Sequence, residues 1–229
     1  MPGVVINMKT RLVFVRHGEA EGNIKRIFHG WTDSELTDKG YHQAERVAIR
    51  LKDENIDLIY SSPLKRAYET ARLIARQQNI QEIITLEGLK EIHGGKWENE
   101  KWDELPVKWP DDYNTWETSP HLHCMPMGES MKEAFERIVD TIQDIVKQNE
   151  GKNICIVTHG TVLRTLICFF YGKPFEDLVT ISWHDNTSVT IVEFDNKGFE
   201  VFAEGDNSHL GEELSTFATQ DWWKKEQRG

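Results

Sequence analysis

The chain has 229 residues, of which 38% are hydrophobic and 28% are charged, a composition that excludes a disordered or fibrous protein. Its 27 Lys and Arg against 38 Asp and Glu give a formal net charge of -11, which disfavours nucleic acid and anionic membranes as partners because like charges repel. An anionic small molecule can therefore bind only where the fold concentrates positive charge locally.

Cysteine usage and hydropathy indicate where the protein works. The cysteines are Cys124, Cys155 and Cys168, an odd number without regular spacing, which argues against a disulfide framework and for a reducing compartment. The N-terminal apolar runs are too short for a signal-peptide core, and no stretch approaches the roughly 18 apolar residues of a membrane-spanning helix. We expect a cytoplasmic protein that forms a single domain over residues 1–229.

In the first third of the chain, short apolar runs alternate with amphipathic stretches. Residues 11–15 form the first predicted strand, and a helix is predicted to open at Thr37 with an apolar face that extends to Leu51. Residues 57–60 form the second predicted strand. The next helix is predicted to begin at Pro63, because proline is favoured in a first helical turn.

The remainder of the chain continues the alternation. Ser130 and Glu133 have the spacing of a capping box that opens a long amphipathic helix. Residues 154–157 form an apolar strand followed by a helix, and residues 189–203 resemble a hairpin. This order of elements predicts a three-layer α/β/α sandwich with a mainly parallel sheet.

An insertion, at about residues 94–127, interrupts the regular pattern and is rich in tryptophan and proline. We expect a lid over the carboxyl ends of the strands, with its tryptophans packing the core of the insertion or, alternatively, lining a substrate pocket. The histidines at 121 and 123 lack the second ligand pair of a zinc site, so no metal is predicted. The segment 221–225, which contains two adjacent tryptophans, is not assigned to any element.

Two predicted strands end in the same pair of residues, His17-Gly18 and His159-Gly160, and Arg16 precedes the first. Ligands of open α/β sheets bind at the carboxyl ends of the strands. One histidine at a strand end is most simply a packing residue. Two of them, one beside an arginine, predict a shared pocket.

A third segment adds positive charge near this edge. Residues 61–66 follow a strand and open a helix, whose N-terminal N–H groups and dipole favour an anion. Arg66 in the first helical turn opposes the helix dipole, which indicates a counter-anion nearby. Arg16 and Arg66 each carry the paired donors that grip a phosphate.

In the order and spacing of its motifs, the chain resembles the histidine phosphatase superfamily, also called phosphoglycerate mutase-like proteins. The resemblance runs from about residue 10 to residue 194 and rests on the following residues: Arg16-His17-Gly18-Glu19, Asn23, Gly30, Asp33, Leu36-Thr37, Gly40, Gln43-Ala44, Ser61-Ser62-Pro63-Leu64, Arg66-Ala67, Thr70-Ala71, Glu91, Gly95, Trp97-Glu98, Gly128-Glu129-Ser130 and Thr158-His159-Gly160.

The resemblance implies a role for each catalytic residue. His17 would be the nucleophile that forms a phosphohistidine, and Glu91 would be the proton donor, its carboxyl kept protonated near Trp97. The phosphoryl group would be held by Arg16, Arg66 and His159. Substrate-binding positions would be Arg16, Asn23, His29, Gly30, Arg66 and Gly160. The family chemistry implies neither a metal nor a cofactor.

Three positions depart from the family pattern. His29 replaces the usual Gln before Gly30, Asn99 replaces a Gly after Trp97-Glu98, and Thr161 replaces a second Gly. None of them belongs to the phosphoryl-transfer set. His29 and Asn99 lie where they would affect the recognition of groups beyond the phosphate.

These features predict a metal-independent phosphomonoester hydrolase acting on a small molecule. Two alternatives stay open: a 2,3-bisphosphoglycerate-dependent phosphoglycerate mutase, and a non-catalytic module that binds a phosphorylated ligand. The insertion favours hydrolysis, because residues 98–128 contain seven acidic residues and no arginine to bind a substrate carboxylate, only Lys101 and Lys108. The sequence specifies neither the substrate nor the oligomeric state.

Overall fold

A single mixed sheet organises the chain in a computed structural model that describes residues 9–220. Its order is β3-β2-β4-β1-β5-β6. The first four strands of that order are parallel, and β5 is antiparallel to both β1 and β6. The strands are β1 (Thr10–Arg16), β2 (Leu58–Ser61), β3 (Ile84–Thr85), β4 (Asn153–Thr158), β5 (Val189–Asp195) and β6 (Gly198–Asp206).

Four longer helices cover the sheet and several short ones connect it. The α-helices are α1 (Glu21–Ile24), α2 (Asp38–Arg50), α3 (Lys65–Gln78), α4 (Leu105–Lys108), α5 (Pro110–Thr118), α6 (Met131–Gln148), α7 (Gly160–Phe170), α8 (Gly211–Leu214) and α9 (Thr216–Thr219). Single turns of 3₁₀-helix cover Glu87–Leu89, Gly95–Trp97, Trp102–Glu104 and Pro120–Leu122, and a longer one covers Phe175–Thr180.

The central strands bury both of their faces, as the near-continuous apolar runs predict. In β1, Leu12 and Phe14 face a cluster shared with α6 and α7, whereas Val13 and Val15 face a cluster shared with α2 and α3. All four side chains have no exposed surface. The three-layer α/β/α sandwich with a mainly parallel sheet is therefore confirmed.

Most of the predicted helix starts are also confirmed. The Thr37 side chain caps α2 by accepting a hydrogen bond from the Gly40 N–H, and Ser130 and Glu133 form the reciprocal capping box of α6. The predicted start of the next helix at Pro63 is wrong. Leu64 keeps an extended backbone, and α3 begins at Lys65.

The insertion has its own apolar core above the carboxyl ends of the strands. Trp97 has no exposed surface, and its ring lies 5.8 Å from that of Phe28 and 5.9 Å from that of Trp116. Core packing by these tryptophans is confirmed. Within residues 9–220, no helix is long and apolar enough to cross a bilayer. The tryptophan-rich segment 221–225 lies outside the described residues.

The loop after β1 approaches α2 so closely that neither backbone leaves room for a side chain. A Cβ on Gly40 would lie 2.0 Å from the carbonyl oxygen of Glu19. We expect Gly40→Ala to lower the free energy of unfolding by about 1–3 kcal/mol, as overpacking does. Urea denaturation measures this loss. The control Glu45→Ala, at an exposed position of α2, is expected to stay within about 0.5 kcal/mol of the wild type, and an equal loss in both variants would contradict the account.

Candidate active site

The two His-Gly pairs meet because β1 and β4 are adjacent and parallel. Arg16 pairs with Thr158 at the end of the ladder, and the His17 N–H donates to the Thr158 carbonyl oxygen at 3.0 Å. The imidazole rings of His17 and His159 then lie with their centroids 5.2 Å apart. The two histidines that were predicted to share a pocket are thereby neighbours at the carboxyl edge of the sheet.

The ring of His17 is held in one tautomer. Its Nδ1 lies 2.7 Å from the Gly18 carbonyl oxygen, which can only accept, so Nδ1 carries the proton and Nε2 carries the lone pair. Burial lowers the pKa of His17 well below its usual value of 6.5, and the positive charges of Arg66 and Arg16 lower it further. Both effects favour the neutral imidazole of His17, with the lone pair on Nε2.

His159 lies behind His17 and is completely buried. Its Nε2 lies 2.8 Å from Oγ of Ser62, which also accepts the Leu64 N–H at 3.3 Å. Burial, followed by the charge of Arg66, lowers the pKa of His159 well below 6.5. The Ser62 loop thus holds His159 in place.

The helix N-terminus that was expected to attract an anion is occupied by the chain itself. The Lys65 N–H, at the start of α3, donates to Oδ1 of Asp33 at 2.7 Å. The Leu64 N–H is taken by Ser62. These N–H groups fix the loop, so the positive charge of the pocket comes from the arginines.

Arg16 and Arg66 are both buried, with exposed fractions of 5% and 1%. The Arg16 guanidinium donates to the carbonyl of His184. Arg66 donates to the carbonyl oxygens of the loop before it, at 3.0 Å to Thr32 and 2.8 Å to both His29 and Gly30. Burial lowers the pKa of Arg66 to about 10, so the side chain stays cationic at neutral pH. This acidic protein therefore has the local positive charge that an anionic ligand would need in order to bind.

The Glu91 carboxyl group reaches the same pocket from the turn after β3. Its Oε2 accepts the Thr161 N–H at 3.0 Å, in the first turn of α7, and its Oε1 accepts the Ile92 N–H at 2.9 Å. The expectation that Trp97 would shield this carboxyl is not met, because Trp97 lies in the core of the insertion. Backbone donors orient Glu91 instead.

The turn that carries Glu91 is fixed by an ion pair that was not predicted from the sequence. Arg137 on α6 makes two hydrogen bonds to the Glu129 carboxylate, at 2.7 and 2.8 Å. The same guanidinium donates to the carbonyl oxygens of Gly88, Lys90 and Glu91 at 2.8, 3.0 and 3.3 Å. In the sequence, Arg137 is one polar residue on an amphipathic helix. The only feature of the sequence that pointed to this pair was Glu129, the partner of Arg137, which belongs to the motif Gly128-Glu129-Ser130.

A cavity of about 710 Å³ opens above His17. Of the predicted site residues, it is lined by Arg16, His17, Asn23, His29, Gly30, Arg66, Glu91 and Gly160. His159 does not belong to this lining set, although its ring lies 5.2 Å from that of His17. The remaining lining residues, which sequence reasoning did not assign to a pocket individually, are Arg26, Phe28, Trp102, Asp103, Tyr113, Trp116, Glu117, Thr161 and Trp183.

Three of the predicted substrate positions have a defined geometry. Asn23 accepts the Ala20 N–H through Oδ1 at 2.9 Å, so its NH₂ group is the part left for a ligand. The His29 ring meets that of His17 edge-on with centroids 6.1 Å apart, and burial lowers the pKa of His29 well below 6.5. A Cβ on Gly30 would lie 2.2 Å from the Ile92 carbonyl oxygen, so only glycine fits there.

The residues that resembled a soft metal site pack in the insertion. Nε2 of His123 lies 3.3 Å from Sδ of Met125, and the His123 ring lies 5.0 Å from that of Trp97. Among residues 9–220, no group of three or more His, Cys, Asp and Glu side chains is placed to hold a metal ion.

This pocket has relatives among known proteins. The model of the histidine phosphatase superfamily (branch 1) matches residues 12–207. The chain belongs to this superfamily. It is 30% identical over 202 residues to Phosphoserine phosphatase 1 of Hydrogenobacter thermophilus, covering 88% of this chain and 95% of that one. YhfR of Bacillus stearothermophilus has the same fold, with a TM-score of 0.83 and 38% identity over 87% of this chain and 98% of that one.

The superfamily also includes mutases that resemble this chain. A 2,3-bisphosphoglycerate-dependent phosphoglycerate mutase of Treponema denticola is 31% identical over 245 residues, covering 92% of this chain and 98% of that protein. The superfamily predicted from the sequence, and an enzyme of the histidine phosphatase type, are thus confirmed. Membership does not by itself distinguish hydrolysis from phosphoryl transfer between substrates.

The Arg137–Glu129 pair makes a testable contribution to the site. We expect Arg137→Met to lower turnover of alkyl phosphates by roughly 10–100-fold, because a turn displaced by about 1 Å misaligns Glu91. Aryl phosphates, which need little protonation of the leaving group, are expected to lose less. Steady-state kinetics on both substrate types measure the difference. Arg72→Met, which removes an exposed pair with Glu69, is the control, and equal losses on both substrates would rule out a positioning role.

Proposed function

We propose that this protein hydrolyses phosphomonoesters of small molecules through a phosphohistidine on Nε2 of His17, without a metal. The observation that carries the proposal is the His17 ring itself. Its Nδ1 proton is held by the Gly18 carbonyl, and its pKa is lowered between two buried arginines. The species that attacks phosphorus is a neutral imidazole whose Nε2 carries no proton.

In the first step, Nε2 of His17 forms a bond to phosphorus as the ester P–O bond breaks. The leaving alkoxide takes a proton from Glu91. Arg16 and Arg66 neutralise the charge on the equatorial oxygens, and the Asn23 amide adds a donor. The Nδ1–H bond to Gly18 stabilises the positive charge that develops on the imidazole.

In the second step, water attacks the phosphohistidine and gives its proton to the Glu91 carboxylate. The P–N bond breaks, inorganic phosphate is released, and His17 regains its lone pair on Nε2. Glu91 is again protonated, so the cycle is closed. His159, fixed by Ser62, lies beside His17 and is assigned to the phosphoryl pocket.

The substrate-binding positions proposed are Arg16, Asn23, His29, Gly30, Arg66 and Gly160, all of which line the cavity. Their arginines supply the positive charge that a divalent metal provides in other phosphoryl-transfer enzymes. This supports activity without metal or cofactor.

The environment of the insertion supports hydrolysis over mutase activity. Among the residues described, neither Lys101 nor Lys108 lines the cavity, and Lys108 is paired with Glu100 and Glu104. Arg26 does line it, but its guanidinium binds Asp103 at 2.6 Å. A phosphoglycerate carboxylate thus finds little uncompensated positive charge. A silent binding module is disfavoured because both His17 and Glu91 are oriented for chemistry.

We expect His17→Ala to abolish turnover while the protein stays folded. The variant lacks the nitrogen that accepts the phosphoryl group, so acid-labile phosphate trapped by rapid quench should disappear with it. His42→Ala, at an exposed position of α2, serves as the control and should keep full activity. Residual turnover above a few per cent in His17→Ala, or label on another residue, would disprove the assignment of the nucleophile.

We expect Glu91→Gln to slow alkyl phosphates far more than nitrophenyl phosphate. General acid catalysis contributes roughly 10²–10⁴-fold where the leaving group is a strong base, and little where it is a stable phenolate. Comparing kcat/KM for both substrates measures this. Glu87→Gln, on the same turn, removes a carboxyl that pairs with Lys90 and serves as the control. Equal losses on both substrates would assign Glu91 a structural role.

The proposal as a whole is tested by following free phosphate and isomer interconversion together. With 3-phosphoglycerate, the bisphosphate primer and a panel of phosphomonoesters present in turn, we expect phosphate release to outrun formation of 2-phosphoglycerate. Dialysis against EDTA should leave the rate unchanged, and vanadate should inhibit. Interconversion far faster than phosphate release would establish the mutase, and activity lost in EDTA and restored by metal would refute the metal-free mechanism.

A further inference from the structure

We propose that the outer part of the cavity binds a positively charged ammonium group, so that the preferred substrates are phosphomonoesters of small amino alcohols. This inference rests on the proposed hydrolysis, because it assumes that the phosphate end of the substrate lies against Arg16 and Arg66. The outer part of the cavity means its aromatic lining residues together with Arg26, Asp103 and Glu117, whose chemistry differs from that of the two arginines.

The outer wall is aromatic and contiguous. Five cavity residues form it: Phe28, Trp102, Tyr113, Trp116 and Trp183. The Trp102 ring lies 5.3 Å from that of Phe28 and 6.0 Å from that of Trp116, and Trp116 stacks on Trp183 at 6.4 Å. Aromatic faces attract cations through their quadrupole, and several faces around one cavity are the arrangement that binds quaternary ammonium groups.

The structure already contains one cation bound in this way. The guanidinium of Arg164 lies 4.3 Å from the centroid of the Trp183 ring, while it donates to the carbonyl oxygens of Ile181 and Leu178. Arg164 is buried and its position is fixed by these carbonyls. The wall therefore accepts a cation on one of its rings.

Besides Arg16, Arg66 and Glu91, the cavity is lined by one basic and two acidic residues. They are Arg26, Asp103 and Glu117. Arg26 and Asp103 form an ion pair with an N–O distance of 2.6 Å, which leaves Glu117 outside that pair and close enough to Arg164 to feel its charge. Burial raises the pKa of Glu117, and the charge of Arg164 opposes that shift. A substrate ammonium bound against the aromatic rings would find the Glu117 carboxylate in the lining of the same cavity.

The cavity is thus lined by two sets of residues with different preferences. Arg16 and Arg66 suit the phosphate, and the aromatic faces and Glu117 suit a cation. A volume of about 710 Å³ accommodates a phosphate and a short amino alcohol. A carboxylate bound against the aromatic rings would gain nothing from them and would be repelled by Glu117.

A matched pair of substrates tests the charge alone. Phosphocholine and 3,3-dimethylbutyl phosphate have nearly the same shape, but only phosphocholine carries the positive charge. We expect kcat/KM for phosphocholine to exceed that of the neutral ester by at least tenfold. Glu117→Gln and Trp102→Leu should each reduce this ratio. Asp111→Asn, which removes an exposed carboxylate from the same short helix, should leave it unchanged.

Binding measurements separate this inference from the proposed function. Titration calorimetry on the His17→Ala variant compares its affinities for phosphocholine, the neutral ester and 3-phosphoglycerate. Thermal melting checks that the variant is folded. Tighter binding of phosphocholine supports the ammonium site even if the wild type hydrolyses nothing. Equal affinities, or tighter binding of 3-phosphoglycerate, would overturn it, even if the wild type hydrolyses all three through a phosphohistidine.

Discussion

The hydrogen bond between Nδ1 of His17 and the Gly18 carbonyl is the contact on which the rest of the site depends. It sets which nitrogen faces the cavity, and it requires the Gly18 peptide to be immobile. That peptide is held from its other side, because the Gly18 N–H donates to Oγ1 of Thr70 at 3.0 Å, and Thr70 in turn binds the carbonyl of Arg66 at 2.8 Å. One chain of hydrogen bonds thus connects the His17 imidazole to α3, the helix that carries Arg66.

The protonation of the histidines in this pocket also affects the free energy of unfolding. Burial and the two arginines lower the pKa values of His17, His29 and His159 in the folded protein. Below the ordinary value near 6.5, the unfolded chain binds more protons than the folded one. The stabilisation from these neutral histidines is therefore complete above that pH and is lost as the pH falls below it.

The part of the site that the sequence predicts is the part built from neighbouring strands. His17 and His159 follow apolar runs that parallel pairing places side by side, so their convergence is a consequence of topology. The start of α3 was misplaced, because proline propensity does not reveal that Ser62 keeps Leu64 extended. Arg137 and Trp183 were missed because they come from segments far away in sequence, and only tertiary packing brings them to Glu91 and to the cavity.

The insertion core and the cavity wall are built from the same side chains. Phe28 and Trp116 pack against Trp97 and also face the cavity. Replacing either one to admit a new substrate would open a void in the core, so changes of substrate preference at these positions carry a cost in stability. Exposed lining residues such as Asp103 and Glu117 lie outside that core. Divergence in substrate preference within this architecture is therefore least constrained at the charged positions of the insertion, and most constrained at its aromatic ones.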